Sequence, residues 1–528
     1  MTPFSRRPLA AALLLFLIVF AAVSWLLLRT TQDQLVYALD DAYIHMAMAH
    51  TLAEHGVWGI NATGFASASS SPLWTASLAL VYRVVGTRDA VPLVLNLVAV
   101  PLSLAVVTAI LQERQVPPAR ASAVACATVL CTPMAPLVWI GMEHSLNNLF
   151  VLLTLWGTVR LTAADAQRTL VWFFASVLLA CATRFEGVFV AGGCVCALLL
   201  SRRYRAALVG ACAAAAPVVG FGVWNLLHGW FFLPASIMMK QTVLPSVHES
   251  WTHAVIQGVI HLSAPPAFVA LVLFAILLLV LISRAGGRLC EQPGLVVFLF
   301  AATLHLLLAR FGYLYRYESY LMLLGVVGVG AALNDMPSGW TVVQRKGQVL
   351  GAAALAAVVT LLVGRVLESH TAVVTTAGHV FRQQRQIARF VGEHYEGERI
   401  AMNDIGAVSY YTQAEVLDLA GLASLPVARA RRQDTFDASF INGWLDDADV
   451  RIAIVYDAWF RGRQRFVRSW IPVATWVTDE GGAEESTVNF YARDEEDARS
   501  LLARLEAFRR DMPPSIVMVL AGHADARR

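Results

Sequence analysis

The sequence predicts an α-helical polytopic membrane protein of about eleven spans, with a re-entrant or interfacial helix and a soluble α/β domain at its C-terminal end. Three observations lead there. First, the 528 residues are 57% hydrophobic and only 15% charged, whereas a soluble globular chain is about 45–50% apolar and 25% charged. Second, apolar runs of membrane length recur up to residue 365, after which the composition turns mixed. Third, arginines and lysines mark every second loop between those runs. A formal charge of +3, with no basic stripe carrying interleaved aromatics, excludes a nucleic-acid partner.

Taken in order, Arg6 and Arg7 precede the apolar run Leu9–Leu28, long enough for a hydrocarbon core of roughly 30 Å. No small-x-small cleavage site follows before Thr30-Thr31-Gln32-Asp33, so this is an uncleaved first span that starts in the cytoplasm. A first outer loop, 30–71, comes next. Pro72–Val85 is apolar but short and contains Arg83. Were it to span, every later loop would change sides, so it is expected to be re-entrant or interfacial. Further spans are expected at Val91–Leu111, Ala121–Ile140, Ser145–Leu161, Leu170–Thr183, Val188–Leu200, Ala206–Leu226, Ala264–Ser283, Pro293–Ala309, Tyr320–Leu333 and Val349–Val363. Arg114 with Arg120, Arg160 with Arg168, Arg202 to Arg205, Arg284 with Arg288, and Arg345-Lys346 place five loops in the cytoplasm. The C-terminus is then outside.

Six of the seven cysteines (126, 131, 181, 194, 196 and 212) fall in spans and Cys290 in a cytoplasmic loop. They read as unpaired small hydrophobes, not as a disulfide framework or metal site. From 366 to 528, Ala377–Glu396 has helical periodicity. Arg399–Asn403, Glu415–Leu419, Val450–Asp457 and Val488–Arg493 read as strands, Gly481-Gly482 as a turn and Glu495–Arg510 as an amphipathic helix. Helices alternating with strands predict a small α/β layer domain.

The chemistry concentrates at the outer ends of the spans. The first outer loop contains Leu39-Asp40-Asp41-Ala42-Tyr43, and adjacent carboxylates near a membrane surface hold a cation or do acid–base work. The plainer alternative is a solvated helix start with Asp40 as its N-cap. The same loop ends Ser67-Ala68-Ser69-Ser70-Ser71-Pro72-Leu73-Trp74, a polar turn with Trp74 expected at the headgroup level. Glu143 lies between two spans, and Arg184 and Glu186 lie within a tight hairpin, where they also read as a mutual pair. Lys240 follows Pro234-Ala235-Ser236, and Arg310 and Arg316 flank three tyrosines, a setting that also suits an interface anchor. Together these groups describe an outer cavity in which cations meet a lipid phosphate and a carboxylate meets a sugar hydroxyl.

The first-loop motif, followed in order by Gly141-Met142-Glu143, Thr183-Arg184-Phe185-Glu186-Gly187, Pro234-Ala235-Ser236 with Lys240, and the segments 403–411 and 417–422, resembles the polyprenyl-phosphate-sugar-dependent glycosyltransferases of the GT-C superfamily. The nearest branch is that of the mycobacterial terminal arabinofuranosyltransferases. Phe185 stands where that branch usually has Pro, Ala47 where many members have Arg, and Ala235 where many have Asn.

The resemblance implies an inverting transfer of a hexosyl or pentosyl group. The donor would be a polyprenyl-phosphate sugar, the acceptor a cell-envelope glycan or glycolipid, and the place the outer face of a bacterial cytoplasmic membrane. Asp40 or Asp41 would be the catalytic base, and Arg184, Lys240 and Arg316 would hold the donor phosphate. Tyr43, Ser71, Trp74, Glu143 and Glu186 would bind substrate. A divalent cation such as Mg²⁺ would use Asp41 and Glu143. The competing expectations are a carrier or flippase for polyprenyl-linked sugars and a non-catalytic envelope-assembly scaffold. A reporter active only outside the cytoplasm should be active when fused after Ser71, His228 or His370 and silent after Arg203 or Arg345. Activity after Arg203 would mean that Pro72–Val85 spans.

Overall fold

The computed structural model of the chain describes residues 6–164, 166–240, 292–332, 334, 345–460, 470–478 and 487–521 and, for residues 240 and 345–359, the backbone alone. The expected span Ala264–Ser283, the Arg284–Arg288 loop, Cys290 and the Gly481-Gly482 turn lie outside these residues.

The first part is helical: α1 (Arg7–Thr30), α2 (Asp40–His55), α3 (Pro72–Val85), α4 (Val91–Glu113), α5 (Pro118–Cys131), α6 (Met134–Ile140), α7 (His144–Ala163), α8 (Gln167–Thr183), α9 (Gly187–Leu200), α10 (Tyr204–Leu227), α11 (Ala235–Lys240), α12 (Pro293–Leu308) and α13 (Ser319–Ala332). Helices α1, α4 and α10, and the stretch Pro118–Ile140, are long and apolar enough to cross a membrane. Leu14, Leu17, Ile18 and Trp25 of α1, Val94 and Val98 of α4, and Leu208, Val219 and Val223 of α10 point outward. An outward apolar belt of this kind is stable only against lipid. Of the six described cysteines none is bonded to another; Cys131, Cys181 and Cys194 are buried, whereas Cys212 is on the outward face.

Two expectations need correction, and one span is broken. The span expected at Ala121–Ile140 falls in a stretch of crossing length, Pro118–Ile140, but it is built of two helices, because Pro133 lacks an N–H and its ring would clash with the preceding turn. Trp74 is not at a headgroup surface but fully buried, with Leu78 and Tyr82, on the inner face of α3. That helix has 14 residues, about 21 Å, and Leu80, Val84 and Val85 face out, which suits an interfacial position. Finally, the expected last span and the helix after it are not separated by a loop. They run as one 38-residue helix, α14 (Arg345–Arg382), followed after Gln383 by α15 (Gln384–His394). The domain boundary read at 365/366 therefore falls inside α14.

The C-terminal part is a mixed six-stranded sheet of β1 (Arg399–Met402), β2 (Glu415–Asp418), β3 (Ile452–Val455), β4 (Ile471–Thr478), β5 (Thr487–Ala492) and β6 (Ile516–Leu520). Its order is β2-β1-β3-β5-β4-β6. β1 is parallel to both β2 and β3, and the remaining pairs are antiparallel. Helices α16 (Gly406–Tyr411), α17 (Leu425–Arg432), α18 (Ala438–Asp447) and α19 (Glu495–Phe508) complete it. All four residues of β3 are buried, as a central strand with both faces covered requires. On the other side, Trp476 stacks on Phe508 at 5.9 Å, joined by Phe390 and Phe490. Asp494 caps α19 by accepting the Glu496 and Asp497 N–H groups.

The helical part and the sheet domain meet through several polar contacts, among them that of Arg429 Nη2, which donates to the Gly229 carbonyl at 2.8 Å. Asp40 reaches α16, and the Asp89 carboxylate accepts both the Tyr410 and Tyr411 hydroxyls, at 2.9 Å each. Tyr43 packs between them, with ring centroids 6.1 and 5.6 Å from Tyr410 and Tyr411.

Candidate active site

Residues 40 and 41 open α2, after an extended Leu39. Successive helical side chains diverge by about 100°, so the two carboxylates face different neighbours. The buried Asp40 carboxylate faces the sheet domain: Oδ2 accepts the Gly406 N–H at 2.5 Å and Oδ1 the Ala407 N–H at 2.7 Å. A side chain on Gly406 would collide with the Asp40 carbonyl and carboxylate, so only glycine permits the approach. Asp404 lies beside the pair. Burial, and then the neighbouring Asp404 carboxyl, push Asp40 well above the usual carboxylate range, while the two N–H bonds pull the other way. The Asp40 and Asp404 carboxyls are neighbours, and two such groups do not both ionise cheaply. The expectation of a solvated Asp40 gives way to a buried one.

Asp41 turns instead toward a cavity of about 850 Å³ between the two parts. Its Oδ2 accepts from Arg316 Nη2 at 2.8 Å. The loop that carries Arg316 is unusual. Gly312, Tyr313, Leu314 and Tyr315 have φ of 76°, 45°, 62° and 59°, a left-handed run that disfavours each non-glycine residue by roughly 1–2 kcal/mol. A buried ion pair holds it in place. Arg365 Nη1 meets Glu318 Oε1 at 2.6 Å, and Glu318 Oε2 accepts the Gly312 N–H at 2.9 Å. The result is an Arg316 guanidinium set between the Tyr313 and Tyr317 rings, 4.9 Å from each centroid. Arg310 lines the same cavity. Its Nε is buried without a hydrogen-bond partner, and no carboxylate pairs with it among the described residues.

The opposite wall comes from α14, α15 and the sheet domain: His379, Gln383 and Gln384, then Asn403, Asp404, Tyr456 and Trp459. Of these, only Asn403 and Asp404 fall in a run that the sequence singles out, 403–411, and the sequence assigns no role to them or to Arg310. The signal that would have singled it out, a guanidinium with no acid nearby, exists only in three dimensions.

The other expected site residues go elsewhere. Arg184 does not line this cavity. Its Nη1 donates to Glu143 Oε1 at 2.5 Å and to His144 Nε2 at 2.8 Å, and its Nη2 to Glu186 Oε1 at 2.7 Å. A guanidinium held by two carboxylates is a closed cluster, not a waiting phosphate receptor, so the mutual-pair reading of the hairpin is the one the geometry supports. Tyr43 is buried, its hydroxyl accepting the Tyr37 N–H at 3.0 Å. Ser71 is buried too and donates to the Thr183 carbonyl at 2.5 Å, bracing the Arg184 corner. Lys240 ends α11, but its side chain lies outside the described residues. The carboxylates expected to hold a metal, Asp41 and Glu143, each face a guanidinium, at 2.8 and 2.5 Å. No group of three His, Cys, Asp or Glu side chains converges among the described residues. This donor set does not fit a hard divalent cation.

Comparison with known proteins places the fold. A domain of unknown function (DUF8728) matches residues 375–491, from the end of α14 through most of β5. No curated protein matches the sequence. Two crystal structures of ArnT from Cupriavidus metallidurans share the architecture along almost the whole chain. The apo form is 12% identical with a TM-score of 0.51, covering 91% of this chain and 98% of its own. The form bound to undecaprenyl phosphate is 11% identical with a TM-score of 0.52, covering 92% and 98%. The chain shares the fold of these ArnT structures: a bundle of apolar helices with a small C-terminal sheet domain.

The closed cluster carries its own prediction. Arg184→Ala leaves Glu143 buried beside Glu186 without its cation, which should cost about 3–5 kcal/mol of stability. The thermal midpoint of the purified protein should fall sharply, and the triple change Arg184→Met, Glu143→Gln, Glu186→Gln should restore much of it. A phosphate ligand would behave otherwise, losing donor kinetics at an unchanged midpoint.

Proposed function

We propose that this chain is a membrane glycosyltransferase. In this reading it moves a sugar from a polyprenyl-phosphate carrier to a hydroxyl of a cell-envelope glycan or glycolipid, at the outer face of a bacterial cytoplasmic membrane. The observation that carries the reading is the cavity wall on which Asp41 and Arg316 stand beside Arg310, which no acid pairs among the described residues. A carboxylate and two guanidiniums at the end of a lipid-facing helical bundle suit a reaction that releases a lipid phosphate. The fold likeness to a protein crystallised with undecaprenyl phosphate supports it.

The chemistry follows from charge. Asp41 takes the proton of the acceptor hydroxyl, whose oxygen attacks the anomeric carbon of the donor. The bond from that carbon to the phosphate oxygen breaks, and its electron pair leaves with the phosphate. That group gains one negative charge as it departs, and Arg310 and Arg316 neutralise it. A single displacement of this kind inverts the anomeric configuration. Asp40 takes no part in proton transfer here, since both of its oxygens accept backbone N–H groups. Its role is to set Asp41. The pocket gives no basis for choosing an arabinofuranosyl over another sugar, and the assignment stays at a polyprenyl-phosphate sugar.

The test uses full-length protein in lipid nanodiscs with a radiolabelled polyprenyl-phosphate sugar and an envelope glycolipid extract. Wild type should give labelled product and free polyprenyl phosphate in equal amounts. Asp41→Asn should lower kcat by about 10²–10⁴-fold. Arg310→Ala should lower kcat/KM for the donor by about tenfold to a hundredfold with the acceptor KM unchanged, and Arg310→Lys should recover part of it, lacking the guanidinium fork. Arg316→Ala should cost at least as much, because it also releases Asp41. Donor binding without product in the wild type would reverse the reading in favour of a carrier.

A further inference from the structure

Three features of the sheet domain converge on the cavity. The parallel strands β1 and β3 are neighbours, and the chain leaves β1 toward β2 on one side while β3 lies on the other. That is a topological switch point, and crevices outside the carboxyl ends of parallel strands at such points bind ligands. The segment after β1, Asn403-Asp404-Ile405, and the segment after β3, from Tyr456 to Trp459, both line the cavity. The crevice therefore opens onto the cavity, facing Asp41 and the arginines.

The crevice is also pre-built. Asn403 Nδ2 donates to the Tyr456 carbonyl at 2.9 Å and its Oδ1 accepts the Tyr456 N–H at 3.0 Å, tying the two segments together. The Tyr456 hydroxyl donates to Gln383 Oε1 at 3.2 Å, so this ring is fixed. Trp459 stacks on it at 5.6 Å with planes 22° apart, yet remains 40% exposed. The same cavity is lined by Gln384 and by Asp404, whose Oδ2 accepts from Gln384 Nε2 at 2.7 Å. An exposed aromatic side chain that shares a cavity with a carboxylate and amides has the chemistry of a carbohydrate subsite. The face of a sugar ring presents C–H groups that complement the negative π cloud, and its hydroxyls need acceptors and donors at the edge. Arg431 lines the cavity on this side too, but its Nη2 donates to the Leu419 carbonyl at 2.9 Å and its guanidinium lies over the Phe436 ring, so a phosphate is better served by Arg310 and Arg316 on the opposite wall.

Resting on the reading above, we propose that the β1/β3 crevice is the acceptor subsite, and that it binds a sugar ring of the acceptor on the Trp459 face with Asp404 and Gln384 at its hydroxyls. The acceptor is then a glycan or glycolipid recognised by its sugar, not by a lipid tail or a charged headgroup. It approaches Asp41 from the sheet-domain side while the donor phosphate sits on the membrane side.

The test is a binding measurement that does not need turnover. Full-length protein in nanodiscs is mixed with methyl glycosides of glucopyranose, galactopyranose, mannopyranose and arabinofuranose, with glycerol as control and empty nanodiscs as blank. Saturation-transfer NMR should show ring protons of at least one glycoside contacting the wild type. The signal should fall about threefold to tenfold in Trp459→Ala and persist in Trp459→Phe, which keeps an aromatic face. The thermal midpoints of both variants should stay with the wild type. Equal signals for wild type and Trp459→Ala, or no glycoside signal above glycerol, would overturn the proposal. Glycoside binding in a protein that transfers no sugar would leave the subsite standing and remove the transferase reading instead.

Discussion

The arrangement of the site depends on one interaction, the capture of two backbone N–H groups of the sheet domain by Asp40. The carboxylate sits where a solvent-facing side chain would be expected at the start of a helix, but it is buried against Gly406 and Ala407. Each bond contributes about 0.5–1.5 kcal/mol, and the donors belong to another part of the chain. The interaction therefore fixes the sheet domain against the 30–71 segment and fixes the rotation of α2. With Asp40 committed in one direction, the helical offset aims Asp41 in another, into the cavity. The tyrosines on Asp89 and the continuous α14 hold the same junction from two further sides.

A second constraint sorts the remaining charges. In a site shielded from water an ionised group needs a partner, and most here have one: Arg184 with Glu143 and Glu186, Arg365 with Glu318, Arg316 with Asp41. The first two pairs stiffen the loops that carry the site. Arg310 differs, since no acid faces it among the described residues. An unmatched guanidinium in a cavity is costly in the resting protein and becomes favourable when an anion arrives. The division between closed clusters and an open cation separates architecture from function more sharply than the identity of the residues does.

Much of the fold was legible in the sequence because it rests on composition and periodicity. Apolar runs located α1, α4 and α10, the short length of Pro72–Val85 marked α3 as different, and β-branched runs gave β1, β2, β3 and β5. The two strands missed have local reasons. β4 carries Pro472 at a register shift, and β6 follows a charged helix near the end of the chain. The α5–α6 break was missed because a proline within an apolar run kinks as often as it ends a helix. For the candidate site, the sequence names Asp41 and Arg316, which line one cavity, but cannot divide labour between Asp40 and Asp41, because the partners of Asp40 are 366 and 367 residues away. Arg184 looked like a phosphate ligand for the same reason: Glu143 is 41 residues distant. Trp459 and Tyr456 carry no motif at all, and only the strand order brings them to the cavity.

The most direct test of the account is amide hydrogen exchange, read by mass spectrometry, at Gly406 and Ala407 in the full-length protein. Both amides should be protected in the wild type. Asp40→Ala should raise their exchange by about tenfold to a hundredfold, the loss of two hydrogen bonds, while Asp41→Asn leaves protection intact although it faces the same cavity. Unchanged protection in Asp40→Ala, or equal deprotection by both variants, would contradict the claim that the first carboxylate builds the site and the second serves it.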